Sequence, residues 1–219
     1  DLLMRALDKN PDLIVLPENV FPYFIIDEQT GAIVERPMIM IPQAADLLVN
    51  FIALTNAYPN TTFVFPTHTQ HREHTYNSIL LYKGGEIVGT YHKRYPVPFT
   101  EYAPLGLKLS LFERISRGEP RQMFTINGEA FDAAICSEID HFPFRTYGAP
   151  FIISPSNDSA LNGREVVIMH DRNARMRALE SGAYMFRSTR GGISSVIDPY
   201  GRSVAHRESV NDIIVIDVK

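Results

Sequence analysis

The chain of 219 residues has no tryptophan, a single cysteine, and no apolar run close to the roughly 18 residues that span a bilayer. One cysteine excludes an internal disulfide, and with it the class of small disulfide-stapled domains. The net charge is only −4, so the overall electrostatics gives no reason to expect nucleic acid as a partner. The remaining composition, 45% hydrophobic and 21% charged, is typical of a globular protein.

The sequence does contain alternating helical and strand patterns, separated by glycine turns. Lys83-Gly84-Gly85 and Asn127-Gly128 each divide two apolar stretches, which predicts two β-hairpins. The patterns predict helices at 2–9, 41–57 and 165–181, and strands at 12–17, 61–65, 77–82, 86–91, 123–126, 130–135, 151–154, 184–188, 194–198, 203–207 and 212–218. Hairpins mixed with helical crossovers favour an α/β fold in which two mixed sheets pack face to face, with helices outside. We expect residues 1–219 to form a single domain, since this length suits one large core.

Three ionisable side chains lie where predicted strands end. Each of Glu18, Lys93 and Cys136 follows a short apolar or β-rich stretch. A carboxylate, an ammonium and a thiol can together perform acyl chemistry, because the thiol needs a proton acceptor and the oxyanion needs a stabilising charge. Taken singly, the glutamate and the lysine are more simply interpreted as solvated or salt-bridged residues, and the cysteine as part of the core.

Five separated blocks of sequence carry a family resemblance. They read YHKRYPVPFTEYAP at 91–104, ICSE at 135–138, RMRALESG at 175–182, RSTRGGIS at 187–194 and VIDPYGR at 196–202. In this order they resemble the nitrilase, or carbon–nitrogen hydrolase, superfamily, and most of all its apolipoprotein N-acyltransferase branch. The resemblance implies a nitrilase-like fold, the four-layer αββα sandwich. It also leads us to expect that the family's first strand, which would precede residue 1, is missing.

The resemblance implies that three residues carry the reaction. The catalytic set of the family is a glutamate, a lysine and a cysteine in this chain order. Glu18 would therefore be the general base and Cys136 the nucleophile. Lys93 would be the electrostatic partner that helps to hold the oxyanion.

Three further residues receive supporting roles from the same resemblance. Ser137 would give its backbone N–H to the oxyanion hole. Glu101 matches the second glutamate of the lysine block, which orients the lysine, and Glu138 matches the acidic residue two places after the nucleophile. Carboxylates placed near a buried lysine would keep its ammonium charged.

The resemblance also implies an activity, which is that of a thiol-dependent acyltransferase. A phospholipid would pass its acyl chain to Cys136 as a thioester, and the N-terminal amine of a lipoprotein would receive it. This activity implies membrane association, with the domain on the extracytoplasmic face of the cell membrane as part of a longer protein.

Two alternative functions stay open at the level of sequence. The same glutamate, lysine and cysteine suit a soluble, amidase-like carbon–nitrogen hydrolase that uses water as the acceptor. Such an enzyme is expected to be cytoplasmic and a homodimer. The other alternative is a non-catalytic domain that binds lipid or a partner on this scaffold.

Other residues with metal- or phosphate-binding potential lack a supporting pattern. His68, His71 and His74 are three residues apart, a spacing that does not place them on one face of a strand or loop. Gly191-Gly192 lacks the lysine and the helix start of a phosphate-binding loop. We therefore expect neither a metal site nor a cofactor.

Overall fold

The computed structural model describes residues 2–20, 25–34, 42–103, 114–120, 123–141, 147–208 and 212–217. The helices in this part are α1 (Leu2–Leu7), α2 (Pro42–Ala57) and α3 (Arg164–Ser181). The strands are β1 (Leu13–Val15), β2 (Ile25–Asp27), β3 (Ile33–Val34), β4 (Thr62–His71), β5 (His74–Lys83), β6 (Glu86–His92), β7 (Phe124–Ile126), β8 (Glu129–Ala133), β9 (Phe151–Asn157), β10 (Tyr184–Arg190), β11 (Ser194–Ile197) and β12 (Ser203–Arg207). Short 3-10 turns at Cys136–Asp140 and Asp158–Ala160 follow β8 and β9.

The first sheet contains β1 to β6, in the order β3-β2-β4-β5-β6, with β1 also paired to β4. β1 pairs with residues 62–64 and β2 with residues 68–70, both in parallel. Because β5 pairs along the other edge of β4, the two short strands lie end to end on one edge. Pro66, which has no N–H to donate, lies opposite the interval between them. The connection that leaves β1 at this interval carries Glu18.

The second sheet contains β7 to β12, in the order β12-β11-β10-β9-β8-β7. β8, β9 and β10 are parallel, and α3 is the crossover between β9 and β10. α3 ends at Gly182, whose φ of 61° is the left-handed conformation that glycine adopts without steric cost. The carboxyl ends of β8 and β9 therefore open at the same edge, where Cys136 follows β8.

Three apolar clusters hold the layers together. One cluster between the two sheets contains Val64, Ile79, Leu81, Tyr91, Ile126, Phe131, Ala133, Ile135 and Ile153. A second packs α1 and α2 on the outer face of the first sheet, and a third packs α3 on the outer face of the second sheet. The layer order is helices, sheet, sheet, helix, which confirms the predicted αββα sandwich.

The predicted elements differ from the structure mainly in their ends. β4 continues to His71 instead of stopping at residue 65, because the buried β-branched residues Thr67 and Thr69 extend it without an apolar signal. The predicted last strand is wrong for residues 212–217, which have no regular secondary structure. Val215 and Ile216 in this segment stay exposed, so its apolar run does not mark a buried strand.

Phe51 joins α2 to the first sheet and should therefore contribute strongly to stability. Its ring centroid lies 5.8, 4.6 and 5.5 Å from those of Phe63, Phe65 and Tyr82. We expect Phe51→Ala to lower the free energy of unfolding by about 3–5 kcal/mol, because it removes buried surface and leaves a cavity. Val49→Ala, on the exposed side of the same helix, should change it by less than about 0.5 kcal/mol. Urea denaturation measures both, and equal losses would contradict the assigned packing.

Candidate active site

The ionisable strand-end residues meet at one end of the two sheets. β1, β4 and β6 run in the same direction, so Glu18 after β1 and Lys93 directly after β6 lie at the same end of the first sheet. The second sheet brings Cys136 and Asn157 to its own carboxyl edge. The site is therefore divided between the sheets, with the acid–base groups on the first and the thiol on the second.

Glu18 is held by hydrogen bonds from both sheets. Its carboxylate is 6% exposed. Oε1 accepts from the Asn77 side-chain amide at 2.8 Å, and Oε2 accepts from the backbone N–H of Asn157 at 3.0 Å. The next residue, Asn19, is fixed as well, since Arg190 donates to its carbonyl oxygen at 2.9 Å. Hydrogen bonds from β5, β9 and β10 thus position the Glu18 segment, which lies beyond the end of the short strand β1.

Lys93 is a buried cation paired with Glu101. The lysine is 2% exposed, and its Nζ donates to Glu101 Oε2 at 2.9 Å. The same carboxylate oxygen accepts from the backbone N–H of Val97 at 2.6 Å. The lysine backbone is anchored too, because its N–H donates to the carbonyl of Asn77 at 2.8 Å. The structure therefore places Glu101 where the family resemblance expects it, beside the lysine.

Asn77 links the two glutamates and was missed by the sequence reasoning. Its Nδ2 donates to Glu18 Oε1 at 2.8 Å and to Glu101 Oε1 at 2.7 Å. Asn77 is 3% exposed and lies in β5 beside Ser78, which pairs with His92, the residue before Lys93. An asparagine inside a predicted strand gives no local sign of this role, because only the pairing of β5 with β6 brings it to the site.

The charges within this group act on one another and move the pKa values of the two carboxyl groups in opposite directions. Burial raises the pKa of Glu18 above its usual value, although the Lys93 charge and the Asn77 hydrogen bond oppose that rise. Burial acts on Glu101 in the same way, but the Lys93 charge and the hydrogen bond from Asn77 prevail, so its pKa is lowered. Burial lowers the pKa of Lys93, but the two carboxylates outweigh burial and raise it. Lys93 and Glu101 are therefore the stable ion pair, and Glu18 is the better proton acceptor.

Cys136 presents a half-buried thiol from an unusual backbone conformation. Its φ is 51°, in the left-handed region that costs a non-glycine residue about 1 kcal/mol or more. Burial and the nearby Glu18 carboxylate raise the pKa of the thiol to about 11, against the opposing influence of Lys93. The thiol is therefore neutral near pH 7, and its attack on a carbonyl requires a base that removes the proton as the bond forms.

Glu138 is held by hydrogen bonds from both sides of the site, and the Lys93 charge also acts on its carboxylate. Its carboxylate accepts from the Tyr91 hydroxyl at 2.9 Å and from the backbone N–H of Ile135, Arg94 and Tyr95 at 2.8, 2.6 and 3.2 Å. Its ion pair is with the Arg94 guanidinium, at 3.8 Å. Glu138 thus joins the segment after Lys93 to the segment before Cys136, and its hydrogen bonds go to these groups instead of the ammonium.

Ser137 is the second residue of the turn that begins at Cys136. A backbone N–H at the start of a helical turn has no partner within that turn, which makes it available to an oxyanion. The Ser137 hydroxyl is buried and has no hydrogen-bond partner among the described residues. The oxyanion role of its N–H stays a prediction.

The three histidines considered above do not form a metal site with one another. His71 pairs with His74 at the end of the β4–β5 hairpin, and His68 pairs with Asn77 in the same ladder. In the part of the chain that the structure describes, no three His, Cys, Asp or Glu side chains are grouped so that they could hold a metal ion.

Comparison of the sequence with known proteins identifies a family and named relatives. A family model described as carbon-nitrogen hydrolase matches residues 1–219. The chain is 27% identical over 214 residues to apolipoprotein N-acyltransferase of Aquifex aeolicus, which covers 93% of this chain and 44% of that protein. It is 30% identical over 205 residues to the protein of the same name from Pseudomonas putida, covering 87% of this chain and 37% of that protein. The chain thus spans less than half the length of these relatives.

Solved structures with the same fold also belong to this superfamily by their descriptions. Nit3 of Saccharomyces cerevisiae, a member of branch 10 of the nitrilase superfamily, has a TM-score of 0.65 at 20% identity, covering 94% of this chain and 76% of that one. An amidase from Nesterenkonia sp. AN1, with an acetamide moiety covalently added at its active-site cysteine, has a TM-score of 0.66 at 17% identity, covering 93% and 75%. At these identities the likeness shows the fold.

Neutralising the two glutamates should have opposite effects on stability. The raised pKa of Glu18 means that its ionisation opposes folding at neutral pH, so Glu18→Gln should raise the melting temperature. The lowered pKa of Glu101 means that its charge stabilises the fold above its unfolded pKa, and that this contribution is lost as the pH falls through the folded pKa. Glu101→Gln should therefore cost about 3 kcal/mol at pH 7. Thermal unfolding compares the two, and shifts of the same sign would contradict the charge assignment.

Removing the amide of Asn77 should slow the reaction of the thiol. We expect Asn77→Ala to reduce acylation of Cys136 by a small activated ester about 10- to 100-fold, because both carboxylates lose a shared donor and move. Ser78→Ala is the matched control, since Ser78 is equally buried but bonds to Thr69 and His92 on the other face of β5. Intact mass measured over time gives both rates. An unchanged rate in Asn77→Ala, or an equal loss in Ser78→Ala, would be evidence against the role.

Proposed function

The chain belongs to the carbon–nitrogen hydrolase family, and from this premise we propose that it is the thiol-dependent catalytic domain of an N-acyltransferase. The observation that carries the proposal is the buried Glu18, Lys93 and Glu101 group beside the only thiol of the chain. The names of the relatives, which align along most of this chain, support acyl transfer as the reaction.

In the first half-reaction, Cys136 attacks the ester carbonyl of the acyl donor. The Sγ–C bond forms while the thiol proton passes to Glu18, and the carbonyl electron pair moves to oxygen. The Lys93 ammonium and the Ser137 backbone N–H stabilise this oxyanion. Its collapse breaks the ester C–O bond, and the leaving oxygen takes the proton from Glu18. The products are an acyl thioester and an alcohol.

In the second half-reaction, an amine attacks the thioester carbonyl. Its nitrogen forms the C–N bond and gives a proton to Glu18. The C–S bond then breaks, and the Cys136 sulfur takes that proton back. Glu18 thus acts as base and then as acid in each half-reaction, while Lys93 stays charged throughout because its pKa is raised by the two carboxylates despite burial.

The proposed acyl donor is a phospholipid and the proposed acceptor is the N-terminal amine of a lipoprotein. The printed name of the relatives, apolipoprotein N-acyltransferase, supports an apolipoprotein amine as the acceptor, and the family resemblance implies the phospholipid donor. The proposed location is the extracytoplasmic face of the cell membrane. No helix within the described residues combines the length and the apolar character needed to cross a bilayer.

Intact mass spectrometry tests the thioester directly. Incubation with phospholipid in detergent should add one fatty-acyl mass to the chain, and hydroxylamine should release it. Cys136→Ala should show no adduct, because the thiol forms the bond.

Measurements on the same samples distinguish the proposed acyltransferase from the two alternative functions. Hydrolysis of small amides without any acyl adduct would replace the proposal with an amidase-like hydrolase that uses water as the acceptor. Neither adduct nor hydrolysis, in a folded sample, would favour the non-catalytic binding domain. Either result overturns the acyltransferase assignment.

A further inference from the structure

Arg94, the residue after Lys93, carries a second buried cation that has no role in the reaction as described above. The arginine is 6% exposed. Its Nε donates to the Tyr91 hydroxyl at 3.0 Å, and its Nη2 donates to the backbone carbonyl of Ala133 in β8 at 3.2 Å. A guanidinium that is taken out of water needs an anion close to it, because an unpaired buried charge is strongly destabilising.

The anion beside Arg94 is Glu138, which is 1% exposed. Arg94 Nε lies 3.8 Å from Glu138 Oε1. The Tyr91 hydroxyl connects the two charges, since it accepts from Arg94 Nε and donates to Glu138 Oε2 at 2.9 Å. Burial raises the pKa of Tyr91 well above its usual value, so the hydroxyl stays a neutral donor.

Glu138 joins the two halves of the active site through both of its oxygens. Oε1 accepts from the backbone N–H groups of residues 94 and 95, directly after Lys93, at 2.6 and 3.2 Å. Oε2 accepts from the backbone N–H of Ile135, the residue before Cys136, at 2.8 Å. An ionised carboxylate is acceptor-only, whereas a protonated carboxyl group carries an O–H donor that would face these N–H groups. The junction therefore depends on the negative charge of Glu138.

Burial opposes this charge and raises the pKa of Glu138 above its usual value. The groups that face the carboxylate and act in the opposite direction are the Ile135 N–H, the Arg94 guanidinium, the Tyr91 hydroxyl and the Lys93 ammonium. Of the two cations among them, Lys93 is bonded to Glu101, so Arg94 is the cation that pairs with Glu138. The guanidinium also acts on the carboxylate of Asp132 in β8.

We propose that Arg94 is a positioning residue whose guanidinium keeps Glu138 ionised, and thereby keeps the Cys136 turn attached to the segment after Lys93. Without this cation Glu138 takes up a proton, turns a donor toward one of the two segments and releases it. Cys136, with its left-handed φ of 51°, then loses part of the constraint that holds it in place. The inference rests on the proposed function of Cys136 as the nucleophile.

Carbon-13 NMR of the glutamate side-chain carboxyl groups measures the ionisation of Glu138 directly. We expect Arg94→Gln to raise the pKa of Glu138 by about one unit or more relative to wild type, because it removes an opposite charge next to the carboxylate. Arg94→Lys keeps a cation at this position and should raise the pKa less.

Arg117→Gln is the matched control, because Arg117 contacts the same segment without pairing with Glu138. Its Nε donates to the backbone carbonyl of Arg94 at 3.1 Å, and its guanidinium lies 5.3 Å from the ring centroid of Tyr95. Arg117→Gln should therefore leave the titration of Glu138 unchanged.

The pH profile of Cys136 acylation by a small activated ester gives the second readout, with intact mass as the measurement. Arg94→Gln should be about tenfold slower than wild type near pH 6, because a displaced nucleophile reacts more slowly. The ratio of the two rates should approach one as the pH rises, since ionisation of Glu138 restores the junction. Arg94→Lys should recover most of the rate. A loss of stability alone would lower the rate by the same factor at every pH at which the variant is folded.

Thermal unfolding checks that each variant folds. A carboxyl group with a raised pKa makes the fold less stable as the pH rises, so an Arg94→Gln chain that is unfolded near pH 8 should fold near pH 5. A chain that is unfolded at both pH values would refute the proposal. So would a Glu138 titration that matches wild type, or a rate ratio that does not change with pH. The titration needs no acyl donor, so failure of acyl transfer in the wild type and failure of this inference are separate observations.

Discussion

A lysine that is 2% exposed needs anions close to its ammonium, because an unpaired ammonium in the protein interior would lose its proton. Glu101 supplies the first anion through a direct bond of 2.9 Å, and Glu18 supplies the second at longer range. Two buried carboxylates repel each other, and the amide of Asn77 lies between them as a donor to both. This one charge balance therefore joins β5, the end of β6 and the connection after β1.

The second sheet contributes to this site through a constrained backbone. Cys136 has a left-handed φ of 51°, and the turn that begins there is tied by Glu138 to the backbone after Lys93. A strained residue persists only when its surroundings determine its conformation. The four donors that surround the Glu138 carboxylate provide that constraint, and they join the strand ends of the two sheets across the core between them.

Local signals explain what the sequence predicted well. Glycine turns, apolar runs and the glycine at the end of α3 define elements by neighbouring residues alone, so the two-sheet sandwich and the strand-end position of Glu18 and Lys93 could be foreseen. Asn77 could not, because its role depends on which residue β6 places beside it. The hydrogen-bond partners of Glu138 could not be foreseen for a similar reason, since they depend on where the backbone after Lys93 runs. The catalytic roles themselves stay predictions.

The division of the site between the sheets is also a division along the chain. Glu18, Lys93 and Glu101 precede residue 103, whereas Cys136 and Asn157 follow residue 123. As the chain leaves the ribosome, the acid–base half emerges first and the nucleophile later. Until the sheets dock, the thiol lacks Glu18 as its proton acceptor and behaves as an ordinary cysteine. The base-assisted reaction proposed for the thiol therefore requires both halves of the chain to have folded and docked.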